Sequence, residues 1–180
     1  MIILNKEFTV KGLSYNIRSA IHGDASYLSE VRLQIDGETE NMDRESGEAF
    51  IDQAGFEDII KSDSEHPRTI FLVVEVEDRI VGFSRCVGND LMRTKHRVEF
   101  GVCILKEYWG YGMGKNLLKE TIAWADSTGI KKINLNVLET NETALELYRS
   151  IGFEIEGVLK NDKLLSDGNY YNTIVMGRIN

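Results

Sequence analysis

Three glycines alternate with bulky residues in the segment WGYGMGK, which runs from Trp109 to Lys115, and a helical pattern follows immediately. Glycine inside a helix costs roughly 1 kcal/mol relative to alanine, so its repeated use where a helix begins needs a reason. Glycine supplies a backbone that adopts positive φ and that a ligand can approach closely. The segment therefore predicts a strand-to-helix turn with accessible main-chain N–H groups.

Two common phosphate-binding motifs do not fit this segment. A P-loop requires Gly-x4-Gly-Lys-Ser/Thr, but Gly114-Lys115 is followed by Asn116. A dinucleotide fingerprint requires Gly-x-Gly-x-x-Gly, and the pattern that starts at Gly110 has Lys115 at its last position. A glycine-rich turn that enters a helix still offers N–H groups and the positive end of the helix dipole to an anion. The segment thus suits a pyrophosphate, and a plain strand-to-helix turn is the alternative.

Composition disfavours several other classes of protein. The net charge is −8, from 29 acidic and 21 basic residues without a basic stripe, which disfavours a nucleic-acid-binding protein. No window approaches about 18 uninterrupted apolar residues, and the N-terminus lacks the basic region and cleavage site of a signal peptide. Cys86 and Cys103 are not in a metal-ligand spacing. We expect a cytoplasmic protein with reduced, buried thiols, no metal and no membrane association.

The hydrophobic pattern predicts a single domain over residues 1–180, with a core at about 14–179 and an extra edge strand within 2–10. Predicted strands lie at 14–21, 69–77, 79–87, 96–105, 132–138, 153–159 and 170–179. Helices are expected after Asp24 as N-cap, and at 45–61, 117–124 and 141–151. This order fits an α/β (α+β) fold with a mixed, largely antiparallel sheet of about seven strands flanked by four helices.

Two segments together resemble the GCN5-related N-acetyltransferase (GNAT) superfamily. The strand VEFGVCIL followed by WGYGMG is similar to that family's acetyl-CoA motif, Gln/Arg-x-x-Gly-x-Gly/Ala. The downstream segment LNVLETNETALELYRSIGFEIEGVL has a strand, an Asn, a Tyr seven residues later and then Gly-Phe, as in the family's next motif. The resemblance covers the chain from about Tyr15 to Ile179. It departs at Trp109, where the family usually has Gln or Arg.

The resemblance implies that acetyl-CoA is the co-substrate and that it lies between two splayed strands. Unpaired backbone groups there would pair with the pantetheine arm like an added strand, and they would belong to Val102, Cys103 and Ile104. A backbone N–H near the end of the strand would polarise the thioester carbonyl. The pyrophosphate is expected on the amides of Gly110, Tyr111, Gly112, Met113, Gly114 and Lys115, and Trp109 is expected to bind the coenzyme beside them.

Asn141 and Tyr148 are seven residues apart, so two helical turns place them on one face. By resemblance, Asn141 contacts the pantetheine arm and Tyr148 protonates the leaving thiolate. That role suits a phenol with an ordinary pKa of about 10. Apart from the resemblance, Asn141 is explained equally by an N-cap and Tyr148 by a core aromatic.

Glu99 is the best candidate for the general base that deprotonates the amine. Strand alternation puts it on the face of Gly101 and Cys103, beside the expected thioester site, and a solvated strand carboxylate is the alternative. Some relatives use a Glu on the fifth strand, but the matching position is Asn136, which accepts no proton. Cys103 has no His partner in sequence, so we expect direct transfer and not an acetyl-cysteine.

The acceptor site is the part that the sequence specifies least. By resemblance it is shaped by residues 28–62 and 160–172, and the acidic residues there include Glu30, Asp36, Glu38 and Glu40. The expected function is an acetyl-CoA-dependent N-acetyltransferase for the primary amine of a polyamine, amino acid or aminoglycoside-like molecule. A protein N-terminal or lysine acetyltransferase and a catalytically weak acyl-CoA-binding domain are the alternatives. Members of the family often dimerise, so the resemblance allows a homodimer.

Overall fold

One eight-stranded sheet organises the chain in the computed structural model, which describes residues 2–180. The strands are β1 Lys6–Val10, β2 Leu13–Ser19, β3 Thr69–Val76, β4 Arg79–Val87, β5 Arg97–Ile104, β6 Lys132–Leu138, β7 Glu154–Leu164 and β8 Tyr170–Ile179. The helices are α1 Ala25–Glu38, α2 Gln53–Glu65, α3 Met113–Thr128 and α4 Glu142–Ser150. The strand order is β1-β2-β3-β4-β5-β6-β8-β7. The predicted fold class is confirmed, with β1 as the eighth strand.

Helices cover both faces of the central strands. Phe71 of β3 and Phe83 of β4 pack with Phe56 of α2, with ring centroids 5.7–6.5 Å apart. On the opposite face, the δ-carbon of Ile104 lies 3.7 Å from the position of a β-carbon on Gly114 in α3. Because both faces are covered, β3 is buried along nearly its whole length and reads as a continuous apolar run.

Asp24 precedes α1 as predicted, but its carboxylate does not cap that helix. It accepts a hydrogen bond from the Ile21 N–H at 2.8 Å and pairs with the guanidinium of Arg18 at 2.7 Å. The helical pattern also places Tyr27 on the apolar face of the first predicted helix and Phe50 on that of the second, but both side chains are exposed. In each case a polar or exposed environment replaces a packing role that the local pattern suggested.

The second helix begins at Gln53, eight positions later than the predicted start at position 45. The side chain of Asp52 accepts from the Gly55 N–H at 2.9 Å and so acts as its N-cap. The segment before it contains Gly47 and Ala49 with φ of 89° and 44°, values that a helix does not contain. The segment therefore folds as a loop over the end of α1.

The strands β5 and β6 run parallel, whereas every other neighbouring pair in the described sheet is antiparallel. They pair only from Arg97 with Lys132 to Glu99 with Asn134. Beyond that point β5 continues along β4 as far as Ile104, while β6 continues along β8. Each strand is held on its outer side, so a V-shaped opening separates their carboxyl ends.

Both cysteines among residues 2–180, Cys86 and Cys103, are buried as predicted. Within this part of the chain, no helix combines the length and the apolar character needed to cross a bilayer.

Candidate active site

The glycine segment forms the turn between β5 and α3, and two of its glycines need their special conformation. Gly110 has φ of 85°, and Gly112, the N-cap of α3, has φ of 73°. Side chains rarely tolerate this left-handed region. Gly114 lies within the helix, where a β-carbon would make only an ordinary contact of 3.7 Å. The backbone thus explains the first two glycines and leaves the third without a conformational requirement.

The first turn of α3 presents free main-chain donors. The N–H of Asn116 is the first to find a helical acceptor, at 2.9 Å from the Gly112 carbonyl. The N–H groups of Met113, Gly114 and Lys115 therefore have no acceptor within the helix. The Met113 side chain is buried in the core, and Lys115 is exposed with no ion-pair partner among residues 2–180. These groups fit the diphosphate of a coenzyme.

A hydrogen-bonded pair that sequence reasoning missed holds this glycine loop in place. The hydroxyl of Tyr15 donates to the Tyr111 carbonyl at 3.2 Å and accepts from the Asn116 amide at 2.7 Å. The Tyr111 carbonyl is thus turned inward, which leaves the N–H groups of the next turn facing out. Burial raises the pKa of Tyr15 above its ordinary value. In sequence, Tyr15 resembles any core aromatic of an alternating strand.

The hydrogen-bond register decides which groups of β5 face the opening. The Leu105 N–H donates to the Val81 carbonyl at 2.9 Å, and the register with β4 then runs without a shift. The N–H and C=O groups of successive residues point to opposite sides of a strand. The main-chain groups of Cys103, two residues before Leu105, therefore also face β4, where Cys103 lies opposite Phe83. Its main chain is not available in the opening, contrary to expectation, whereas Val102 and Ile104 direct their main-chain groups there.

Trp109 occupies the position at which the sequence departs from the family motif. Its indole N–H donates to the Ile104 carbonyl at 2.9 Å, and the Lys106 ammonium lies 6.0 Å from its ring centroid. About half of the side chain is exposed. Trp109 therefore satisfies one main-chain acceptor of the opening and forms a wall between the glycine loop and the cavity described below.

The helix α4 carries Asn141 as its N-cap and Tyr148 near its end. The Asn141 carbonyl oxygen accepts from the Ala144 N–H at 3.3 Å, so the N-cap interpretation holds. Tyr148 is buried against Phe153, with centroids 5.9 Å apart, and burial raises its pKa to about 12. Its hydroxyl has no hydrogen-bond partner among residues 2–180, yet it is not a fully enclosed atom. That hydroxyl remains available to a ligand.

Glu99 lies at the apex of the V, where β5 and β6 make their last pair. It is exposed and has no hydrogen-bond or ion-pair partner within the described chain. The space above Gly101, on the same face, is open, since a β-carbon there would meet no atom within 4 Å. Burial raises the pKa of Cys103 to about 12, so its thiolate is scarce at neutral pH.

A cavity of about 460 Å³ lies where β5 and β6 end. Its lining residues are Asp36, Gly37, Glu38, Thr39, Glu40, Asn41, Lys106, Trp109, Leu138, Thr140 and Leu165. It thus joins the loop after α1 to the residues that follow both splayed strands. Three of the four acidic residues singled out in the sequence line it, whereas Glu30 does not. Within residues 2–180, no cluster of potential ligands could hold a metal ion.

The three cavity carboxylates also connect the surrounding segments. Asp36 accepts from Nε and Nη2 of Arg44, each at 3.0 Å, and Glu38 accepts from the Lys106 N–H at 2.8 Å. Glu40 accepts from the Ser166 N–H at 2.8 Å, and its hydrogen bonding to Ser166 lowers its pKa. These hydrogen bonds tie the end of α1 and the loop after it both to the end of β5 and to the turn between β7 and β8.

Several known proteins are similar to this chain in sequence. The model of the Acetyltransferase (GNAT) family matches residues 36–153. The L-amino acid N-acetyltransferase AaaT of Escherichia coli K12 is 29% identical over 109 residues, which cover 60% of this chain and 67% of that protein. The spermidine N(1)-acetyltransferase of the same strain is 29% identical over 130 residues, covering 72% and 67%.

A solved structure gives the same result for the whole architecture. An acetyltransferase of the GNAT family from Streptococcus pneumoniae superposes with a TM-score of 0.89 at 26% sequence identity. The match covers 92% of this chain and 99% of that chain.

Proposed function

Since this chain belongs to the GNAT family and is an acetyl-CoA-dependent N-acetyltransferase, we propose that its acceptor is the primary amine of a small molecule. The candidate classes are polyamines, amino acids and aminoglycoside-like compounds. The cavity at the ends of β5 and β6 carries this proposal. It has a volume of about 460 Å³, is lined by Asp36, Glu38 and Glu40, and adjoins the predicted coenzyme site through Trp109. A cavity of this size suits a small ligand, and its anionic wall favours an ammonium group.

The coenzyme would be held by main-chain groups along the opening. The N–H groups of Met113, Gly114 and Lys115 would receive the diphosphate, and those of Val102 and Ile104 would pair with the pantetheine arm. When bound, acetyl-CoA supplies an activated acetyl thioester. An N–H near the end of β5 would polarise the thioester carbonyl. Asn141 keeps its amide N–H₂ free for the same arm while its oxygen caps α4.

Two side chains would move protons in the reaction. Glu99 would accept the proton that the attacking amine loses, either directly or through a water molecule in the open space above Gly101. Tyr148 would donate from its unpartnered hydroxyl to the departing thiolate. With a pKa raised to about 12, its phenol is protonated throughout the neutral range. No cysteine nucleophile is needed in this scheme, because the amine nitrogen attacks the acetyl carbon of the thioester directly and the CoA thiolate leaves.

The relatives agree with a small-molecule acceptor without choosing among the classes. One is named for L-amino acids and the other for spermidine, and both align over more than half of this chain. The cavity adds a preference for a cation, because the carboxylates of Glu38 and Glu40 line it and have main-chain N–H groups, not cationic side chains, as their partners. A polyamine, which carries further ammonium groups beside the reacting one, best matches that lining.

The test is release of CoA thiol from acetyl-CoA in the presence of separate acceptors: polyamines, amino acids, aminoglycosides and short N-terminal peptides. We expect polyamine-dependent release, with no release for the same polyamine after complete methylation of its nitrogens. The methylated compound is a matched control because it keeps the positive charge and loses the reacting amine. Release with peptides alone would indicate a protein acceptor. Binding of acetyl-CoA without release for any acceptor would indicate an acyl-CoA-binding domain.

A further inference from the structure

The turn between β1 and β2 places a lysine directly beside the glycine loop. A β-carbon added to Gly110 would lie 3.8 Å from the ammonium nitrogen of Lys11. This is the nearest atom to that position outside the loop's own neighbours. We propose that Lys11 is a diphosphate-binding residue, which extends the coenzyme site beyond the turn between β5 and α3. The inference rests on the proposed use of the glycine loop for acetyl-CoA.

Several contacts fix the β1–β2 hairpin against the loop and α3. Lys6 forms an ion pair with Glu120 of α3 at 2.6 Å. A β-carbon on Gly112 would lie 3.8 Å both from Val10 and from the Tyr15 hydroxyl. Tyr15 is held in turn by stacking on Phe8 of β1, with centroids 5.6 Å apart. The hairpin therefore has a defined position relative to the loop.

The conformation of the turn itself fixes where Lys11 projects from the hairpin. Lys11 and Gly12 have φ of 50° and 80°, the two consecutive left-handed residues of a tight hairpin turn. A non-glycine residue at positive φ is uncommon, and lysine is not among the residues enriched there. Lys11 therefore has an unfavourable backbone conformation at the turn position from which its side chain reaches Gly110.

The charge on Lys11 is not used within the protein. Its ammonium group has no ion-pair or hydrogen-bond partner among residues 2–180, and it is exposed. Lys115, in the first turn of α3, is likewise exposed and unpaired in this part of the chain. In a protein with a net charge of −8, two unpaired lysines beside outward-facing N–H groups form a local cationic site. A diphosphate placed on these N–H groups would lie beside the Lys11 ammonium, which is 3.8 Å from the position of a β-carbon on Gly110.

Calorimetric binding of CoA and of 3′-dephospho-CoA tests the proposal without relying on turnover. Lys11→Asn removes the charge and keeps a residue that tolerates left-handed backbone, and Lys11→Arg keeps the charge. Lys61→Gln, which removes an exposed and unpaired lysine of α2, is the control. We expect Lys11→Asn to raise both Kd values about tenfold at low salt and less at high salt, because the lost interaction is ionic. Lys11→Arg and Lys61→Gln are expected to stay within about threefold of the wild type.

Each contrary result has a separate meaning. Unchanged Kd values for Lys11→Asn would overturn the proposal, and so would a loss that does not depend on salt, since that loss would come from a changed turn. A loss seen with CoA but not with 3′-dephospho-CoA would move Lys11 to the 3′-phosphate and refute its diphosphate role. If the wild-type protein bound neither ligand, the coenzyme site itself would be wrong. If instead the wild-type protein and Lys11→Asn bound CoA equally well, the coenzyme site would stand and only the role of Lys11 would be wrong.

Discussion

Tyr148 joins a buried ring to a hydroxyl that has no protein partner in the described chain. Tyr148→Phe keeps the ring contact with Phe153 and removes only the hydroxyl. If the hydroxyl is the acid, kcat should fall at least tenfold, within the usual range for general acids, while the Kd of acetyl-CoA stays nearly constant. Steady-state kinetics together with calorimetry would check this. Equal kcat values would remove Tyr148 from the chemistry.

The same residue predicts how activity and stability respond to alkaline pH. Because burial raises the pKa of Tyr148 to about 12, the phenol stays protonated up to well above pH 10. The ratio of wild-type to Tyr148→Phe activity should therefore be constant from pH 7 to about pH 10. The folded state holds this proton more tightly than the unfolded state does. The stability that Tyr148 contributes is thus complete below about pH 10 and is lost as pH rises towards 12. A ratio that falls near pH 8 would contradict this assignment.

Glu99 is the candidate base, and its exposure makes the conservative change Glu99→Gln informative. The variant should fold normally, since the carboxylate has no partner in residues 2–180. We expect kcat/KM for the amine to fall at least tenfold at neutral pH, with a smaller loss at higher pH, where the free amine is more abundant. Glu154→Gln on β7 is the matched control, an exposed strand carboxylate without a partner in the same part of the chain. Equal losses of kcat/KM in both variants would show that Glu99 is a solvated surface carboxylate and not the general base.

Residue-level prediction from sequence succeeded where the cause is local. The glycine pattern indicated an unusual backbone, and Gly110 and Gly112 have it. Prediction failed where the cause is a contact distant in sequence. Tyr15 meets Tyr111 and Asn116 across separations of 96 and 101 positions, and no local pattern encodes such pairs. The resemblance assigned main-chain groups in the opening to three consecutive residues, Val102, Cys103 and Ile104, whereas the pairing with Phe83 directs the main chain of Cys103 to β4.

At the scale of elements, the start of α3 depends on a glycine in left-handed conformation, Gly112. Gly112→Val places a β-branched side chain at φ of 73°, which costs roughly 1–2 kcal/mol. Its β-carbon would meet its neighbours only at 3.8 Å, so the penalty comes from the backbone and not from a clash. We expect lower stability in chemical denaturation and a Kd for CoA at least tenfold higher by calorimetry, because the turn that aims the N–H groups is displaced.

The other end of the same helix provides the control for that prediction. Gly129 caps the end of α3 with the same φ of 73°, and a β-carbon there would meet nothing within 4 Å. Gly129→Val should therefore lose similar stability and retain CoA affinity. Equal losses of affinity in both variants would show that Gly112 acts only through overall stability.

Element boundaries followed the sequence where an apolar pattern and a cap coincide. Gly129 caps the end of α3, as a glycine just after a helical pattern predicts, and β6 has its predicted bounds. The start of α2 was missed because the preceding segment contains apolar residues at helical spacing, although Asp52 supplies the cap further on. The splay of β5 from β6 has no local signal. It follows from each strand keeping its outer partner, and only the family resemblance predicted it.

Across the whole molecule, the candidate site is assembled from segments far apart in the chain. The hairpin of β1 and β2 holds the glycine loop, β5 and β6 form the opening, and α4 brings Tyr148 after β6. The net charge of −8 is a sum over the whole chain. It does not show that the unpaired Lys11 and Lys115 lie beside the glycine loop, whereas Glu38 and Glu40 line the adjacent cavity. Composition therefore disfavoured nucleic acid as a partner but gave no indication of this local separation of charge. The separation matches a reaction between an anionic coenzyme and a cationic amine.

Because the coenzyme site joins these segments, acetyl-CoA should stabilise the molecule as a unit. A ligand at about 100 times its Kd adds about 2.7 kcal/mol to the free energy of unfolding. For a domain of this size, each kcal/mol raises Tm by about 2–4 °C, so the expected rise is roughly 5–10 °C. Differential scanning calorimetry with and without acetyl-CoA measures it. Gly112→Val at the same coenzyme concentration should show a clearly smaller rise, while Gly129→Val, which strains only the far end of α3, should show the full one. Equal rises in all three proteins would place the coenzyme away from the glycine loop, and a wild-type Tm that acetyl-CoA leaves unchanged would contradict its binding across the opening.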